Sequence, residues 1–96
     1  MSHFVFLGKL THQGITGIKQ VRKRYAAFRQ VVKSKGGKVV AEYATLGRYD
    51  YVFLVDLPHS KAALEVSLAM GSKGNVTFET LRAFPFKEFI MVAERA

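Results

Sequence analysis

Hydrophobic residues fall at consecutive rather than alternate positions in two short runs, Phe4-Val5-Phe6-Leu7 and Tyr51-Val52-Phe53-Leu54-Val55. Each run is rich in aromatic and β-branched side chains and is short. Strands are therefore expected from about His3 to Leu10 and from Tyr51 to Leu57. Between them the period becomes helical, with Ile18, Val21, Tyr25, Phe28 and Val32 on one stripe at 100° per residue. Thr11 can cap a loose first turn around Gly14, Thr16-Gly17 offers a second start, and Gly36-Gly37 stops the helix. Lys38 to Leu46 alternates loosely and predicts another strand, joined to Tyr51 by the tight connection Gly47-Arg48-Tyr49-Asp50. Pro58 ends the third strand, since proline has no N–H to give a ladder. Ser60 suits the N-cap of a second helix carrying Ala63, Leu64, Leu68 and Met70, which Gly71 and Gly74 close. Val76 to Phe84 is a fourth strand ended by Pro85. Phe86 to Glu94 returns to helical spacing, leaving Phe89, Ile90, Val92 and Ala93 available for docking.

The order β-α-β-β-α-β-α predicts an α+β fold, the ferredoxin-like split βαβ arrangement with a C-terminal helix. Residues 1–96 suffice for a single domain and leave no room for a second core. Connections of this type put both main helices on one face of an antiparallel sheet. The other face should then alternate to polar if it met water. In the first and third strands it does not, because Val5 and Leu7, and Val52 and Leu54, are as apolar as their neighbours. A monomer would expose an apolar patch of about several hundred Å², which soluble monomers rarely carry. The terminal helix could cover part of it. Face-to-face pairing of two sheets in a homodimer, or a larger homo-oligomer, covers it more completely.

Composition narrows the chemistry. There are no cysteines, so disulfides, thiolate nucleophiles and sulfur-ligated metals are excluded, in keeping with a reducing, cytoplasmic setting. The opening Met-Ser-His-Phe-Val-Phe-Leu-Gly lacks the basic n-region of a signal peptide, and no apolar run reaches the roughly 20 residues of a membrane span. The net charge of +8 is unevenly placed: residues 1–48 hold ten Lys/Arg against the single acid Glu42. Five of these, Lys19, Arg22, Lys23, Arg29 and Lys33, span about 120° on the side of the first helix away from its apolar stripe. A nucleic-acid surface would interleave aromatic or hydrogen-bonding side chains there. Tyr25 and Phe28 point inward instead, so nucleic acid is the weakest of the partner readings.

Candidate chemistry is sparse. His3, His12 and His59 have no i, i+3 or i+4 partner of the kind helical metal sites use, and no metal or cofactor is expected. His12 and His59 belong where loops enter helices, as exposed imidazoles. The five serines form no nucleophile elbow, and neither Gly14-x-x-Gly17 nor Gly71-x-x-Gly74 carries the Lys-Ser/Thr of a phosphate loop. A His3–Asp50 pair could work as acid and base if the fold brought the two within hydrogen-bond reach. Arg82, inside an otherwise apolar strand, must either reach the sheet edge or find a carboxylate, that of a nearby Asp or Glu or of an anionic ligand. Tyr43, Thr45 and Tyr49 are the polar side chains placed to join it. Asp50 has two uses. It can pin the Gly47–Asp50 hairpin through backbone amides, or it can sit at the mouth of a pocket between paired sheets.

The Gly47-x-Tyr49-Asp50 turn, the opening Phe4 to Thr11 followed by Thr11-x-x-Gly14, and Thr80-Leu81-Arg82-Ala83-Phe84 together resemble the GYD-domain proteins, from about Phe4 to Phe89. The stretch Gly47 to Phe84 is also similar to the ligand-binding domain of Lrp/AsnC-type regulators. These resemblances imply the dimeric α/β-barrel fold. No helix-turn-helix precedes the domain here, so direct transcriptional control is not implied. The reading that follows is a non-catalytic module assembled through its sheet. It would bind a small anionic metabolite near Asp50, Tyr49, Arg82, Tyr43, Thr45 and His3, or act as an accessory or regulatory subunit. The alternatives are a small cofactor-independent enzyme of the dimeric α/β-barrel type, and an electrostatic nucleic-acid binder.

Overall fold

A computed structural model describes residues 1–96. Strand β1 (Ser2–Leu10) is followed by the short helix α1 (His12–Thr16), a single 3₁₀ turn at Ile18–Gln20 and helix α2 (Val21–Ser34). Strands β2 (Lys38–Ala44) and β3 (Tyr51–Leu57), helix α3 (Ser60–Gly71), strand β4 (Val76–Ala83) and helix α4 (Phe86–Arg95) complete the chain. The strands form one antiparallel sheet in the order β2-β3-β1-β4. This is the predicted α+β, ferredoxin-like topology, with the two doubly apolar strands at its centre.

The sheet's two faces are set by register. Phe6 pairs with Phe53 on one side and Thr80 on the other, so Phe4 and Phe6 of β1 and Phe53, Val55 and Leu57 of β3 point toward the helices. There they meet Phe28 and Val32 of α2 and Ala62, Ala63, Val66 and Met70 of α3 in a single core. Only 14 of the 96 residues are buried. That is a thin core for a chain of this length, and little burial is left over to offset conformational entropy.

Local chemistry explains the element boundaries. Thr11 caps α1 as expected, its Oγ1 accepting from the Gly14 amide at 3.0 Å and donating to the Gly74 carbonyl at 2.6 Å. Helix α3 starts one residue earlier than its serine predicts: His59 is the cap, with Nδ1 accepting from the Ala62 amide at 3.1 Å. Strand β2 stops at Ala44 rather than Leu46, because Thr45 already belongs to the turn. Its amide donates to the Asp50 carbonyl at 2.8 Å and its hydroxyl to the Tyr49 carbonyl at 2.6 Å. A bulge between Val39 and Ala41 twists this edge strand, which discourages open-ended strand pairing.

Helix α4 does not fold back over the sheet. None of its residues is buried, and it stands off the domain as an arm. The molecule measures 50 × 30 × 18 Å with a radius of gyration of 14.4 Å. About 12.5 Å is usual for a compact chain of this length.

Candidate functional site

The face of the sheet turned away from α2 and α3 carries Val5 and Leu7 of β1, Val52 and Leu54 of β3, Ala41 of β2 and Leu81 of β4. No helix covers it, and only Tyr49 of the β2–β3 turn reaches over one end. Leu54 is 37% exposed and Leu81 42%. At its upper end a depression of about 290 Å³ runs between Val5, Leu54 and Val40 to Phe84 and Pro85, at the root of α4. The apolar surface is thus continuous from the sheet onto the arm. On α4, Phe86, Phe89, Ile90 and Ala93 share one side, and Phe86 is 70% exposed. Patches of this kind on soluble domains mark surfaces that something else covers.

Polar side chains border the face at both ends. At the upper end His3 and Asp56 are cross-strand partners, His3 Nδ1 and Asp56 Oδ1 lying 2.5 Å apart, and Lys38 stands opposite Asp56 on its other side. At the lower end the β2–β3 turn folds across the sheet. The Tyr49 hydroxyl donates to the Glu79 carboxylate on β4, and Lys9 Nζ donates to the Arg48 carbonyl at 3.3 Å. The bond to Glu79, then burial, raises the Tyr49 phenol above its ordinary value.

The turn itself is a hydrogen-bonded unit. Gly47 adopts φ +103°, open to glycine at little cost. The Asp50 amide donates to the Gly8 carbonyl at 2.8 Å, and its carboxylate accepts from the Leu10 amide at 2.8 Å. The aspartate side chain thereby extends the β1–β3 ladder past its last residue pair. That is the pinning role open to it from the sequence, and it occupies one carboxylate oxygen.

The six residues expected to form one site divide between the two ends of the sheet. Asp50, Tyr49 and Thr45 are held within the turn, and Tyr43 lies beside them on β2, largely exposed. His3 and Arg82 lie at the far end of β1, roughly 20 Å away at about 3.3 Å per strand residue. His3 pairs with Asp56 instead of Asp50, so the His3–Asp50 acid–base couple does not form. Arg82 finds no carboxylate. Its guanidinium lies over the rings of Phe84 at 4.2 Å and Phe4 at 5.6 Å, and donates to the carbonyls of His3 and Ala83. Cation–π contact and carbonyl acceptors satisfy it at the sheet margin, where water reaches the remaining N–H groups.

A second feature was not visible in the sequence. On the helix side, residues of α2, the C-terminal end of α3 and the lower sheet line a common depression. It is a largely apolar cleft of about 540 Å³. Its walls are aromatic, from Tyr25 and Phe28 of α2, Tyr51 and Phe53 of β3, and Phe78 of β4. Of the residues expected for a site, Tyr43 borders this cleft and His3 the shallower depression on the open face.

Split βαβ connectivity, the pinned Gly-Arg-Tyr-Asp turn and one uncovered sheet face place the molecule among small ferredoxin-like modules. The family model for the GYD domain matches residues 4–93, and the chain belongs to that family. A curated relative from Thermus thermophilus, described as "Glutamine synthetase and cystathionine beta-lyase binding protein", is 32% identical over 91 residues. The match covers 94% of this chain and 96% of the relative. No helix of the chain is long and apolar enough to cross a membrane.

Proposed function

We propose that the chain is a non-catalytic accessory module, a homodimer or an assembly of dimers, that binds metabolic enzymes and modulates them. The observation that carries the reading is the continuous apolar surface from Val5, Leu7, Leu54 and Leu81 through Phe84-Pro85 to α4. A second copy is its best occupant. Two sheets packed face to face bury their apolar centres, and each arm reaches past its own sheet to lie on the partner. A stable interface of this kind buries roughly 1,200–2,000 Å². A symmetric pair also matches the polar ends, since the His3–Asp56–Lys38 and Tyr49–Glu79 groups border the patch and can remain hydrated.

Once the open face is used in self-association, α2 points outward. Arg22, Lys23, Arg29 and Lys33 are exposed on it and Lys19 is exposed on the 3₁₀ turn before it, so this outer side suits an acidic protein surface. The description of the Thermus relative supports protein partners of this kind. Engagement of Asp50 with the Leu10 amide and of His59 with the Ala62 amide supports a binding role over a reactive one, because these side chains already hold backbone groups.

The test is binding of the purified chain to glutamine synthetase and to cystathionine β-lyase from its own host, measured by biolayer interferometry. Saturable binding of either enzyme is expected, with an association rate that falls as salt is raised. The variant Arg22→Glu/Lys33→Glu should lose it while keeping the wild-type assembly state. Absence of binding to both enzymes, or binding indifferent to those two charges, contradicts the proposal.

A further inference from the structure

We infer that the cleft beneath α2 is a binding site for a small carboxylate with an aromatic or branched apolar body. It lies on the opposite side of the sheet from the assembly surface, and the inference stands whether or not the proposed enzyme partners are correct.

Register builds the cleft. Gly8 is flanked on the helix side by Tyr51 across β3 and Phe78 across β4. With no side chain between them, the two rings close over its backbone. A Cβ on Gly8 would lie 2.9 Å from Phe78 Cε1 and 3.2 Å from Tyr51 Cβ. The resulting floor is aromatic: Tyr51 stacks on Phe53 at 5.4 Å with an interplanar angle of 11°, and Phe78 is inclined at 51° to Phe53. Phe28 closes the inner end against Phe53 at 4.9 Å and Phe78 at 5.6 Å. Aromatic walls suit a planar or branched apolar body, and a volume of about 540 Å³ is ordinary for metabolite sites.

The charges at the mouth choose the sign of the ligand. Lys23, Arg24 and Lys73 border it against one carboxylate, Glu42. Glu42 stands beside the Tyr25 hydroxyl; burial first, and that carboxylate second, hold the Tyr25 phenol above its usual value. Arg24 is positioned independently of any ligand. Its Nη1 donates to the Gly14 carbonyl at 2.8 Å, and its Nη2 rests over Gly17, where a Cβ would come within 2.5 Å. Its charge also acts on the Tyr51 phenol at the cleft floor. A fixed guanidinium beside a phenol, above an apolar slot, is the arrangement that orients a carboxylate whose body is buried.

The test is a ¹H–¹⁵N titration of the full chain with 4-phenylbutyrate, indole-3-acetate and 4-methylvalerate, each compared with its neutral amide. At least one acid should shift the amides of Phe28, Tyr51, Met70 and Phe78 while leaving Leu54 and Leu81 unmoved. It should bind about tenfold or more tightly than its amide, as a charge-assisted contact to one arginine provides. Arg24→Gln, a substitution at a side chain outside the core, should remove that preference without weakening the amide. Ala27→Trp, which fills the slot, should abolish binding of both. The inference is overturned if no acid shifts the cleft, if the shifts fall on Leu54, Leu81 and α4, or if acid and amide bind alike. It is equally overturned if Ala27→Trp folds and still binds. Loss of enzyme binding in the earlier test leaves all of these results untouched, so the two proposals fail separately.

Discussion

Replacing Asp50 by alanine removes the acceptor of the Leu10 amide and leaves this end of the β2–β3 turn tied to β1 by the residue-50 amide bond to the Gly8 carbonyl. The lost bond is 2.8 Å long, is made to a carboxylate and lies in a partly buried position. Hydrogen bonds to charged groups contribute about 1.5–3 kcal/mol. Water can reach this site and recover part of the loss, which places the cost of Asp50→Ala near the lower end, about 1.5–2 kcal/mol. Asp50→Asn keeps an oxygen in the same place without the charge, so its cost is about 1 kcal/mol or less. For a domain of this size each kcal/mol moves Tm by about 4–8 °C. The alanine variant should therefore melt roughly 10 °C below wild type, with the asparagine variant nearer to wild type than to alanine. Urea unfolding at matched protein concentration measures the free energies, since any assembly makes stability concentration-dependent. Hydrogen exchange at the Leu10 amide reports the bond directly. Protection there should collapse in Asp50→Ala and survive in Asp50→Asn. If both variants lose equal stability, or if alanine leaves Leu10 protected, Asp50 does not act as a pin.

Thr80 offers the opposite kind of change. Its Oγ1 is buried opposite Phe6 without a hydrogen-bond partner, so Thr80→Val should stabilise the fold by about 1 kcal/mol, seen as a higher urea midpoint at unchanged m-value. Alkaline pH probes the aromatic ends of the sheet. Burial, then the Asp50 charge, raises the Tyr51 phenol, and Tyr25 and Tyr49 are raised as well. A phenol whose folded pKa lies above 10.0 favours the fold fully below that pH, and the contribution is lost as pH rises through the folded value. Phenolate absorbance near 295 nm should therefore rise at higher pH in the folded chain than in urea, and Glu79→Gln should bring Tyr49 down. Coincident folded and unfolded titrations would refute this.

Much of the fold was legible because burial wrote it into local pattern. Phe4 to Leu7 and Tyr51 to Val55 are apolar at every position, and only central strands of this sheet need both faces apolar. Thr11 and the Gly36-Gly37 stop were legible because capping and left-handed backbone are local chemistry. The features that escaped depend on pairings distant in sequence. That Thr45 belongs to the turn follows from its bonds to Tyr49 and Asp50, which hydropathy does not encode. Arg82 in an apolar strand implied either the sheet edge or a carboxylate; the edge is the outcome, and the rings of Phe4 and Phe84 meet it only once β4 is registered against β1. The cleft needed two registers at once, Gly8 against Tyr51 and against Phe78. A glycine in a strand followed by aromatic positions in its two neighbours is the one signal that could have pointed to it. Asp50 and Arg82 were grouped by their chemistry, and chain direction sets them at opposite ends of the sheet.

The uncovered sheet face and its continuation onto α4 are the surface on which self-association depends. Light scattering coupled to size-exclusion chromatography, at micromolar concentration, tests it most directly. Wild type should elute at twice the 10.8 kDa chain mass or a larger even multiple. The double variant Leu54→Glu/Leu81→Glu, which puts charge on exposed positions of that face, should elute as a folded single chain. A wild-type species of 10.8 kDa, or a double variant that assembles as wild type does, would contradict it.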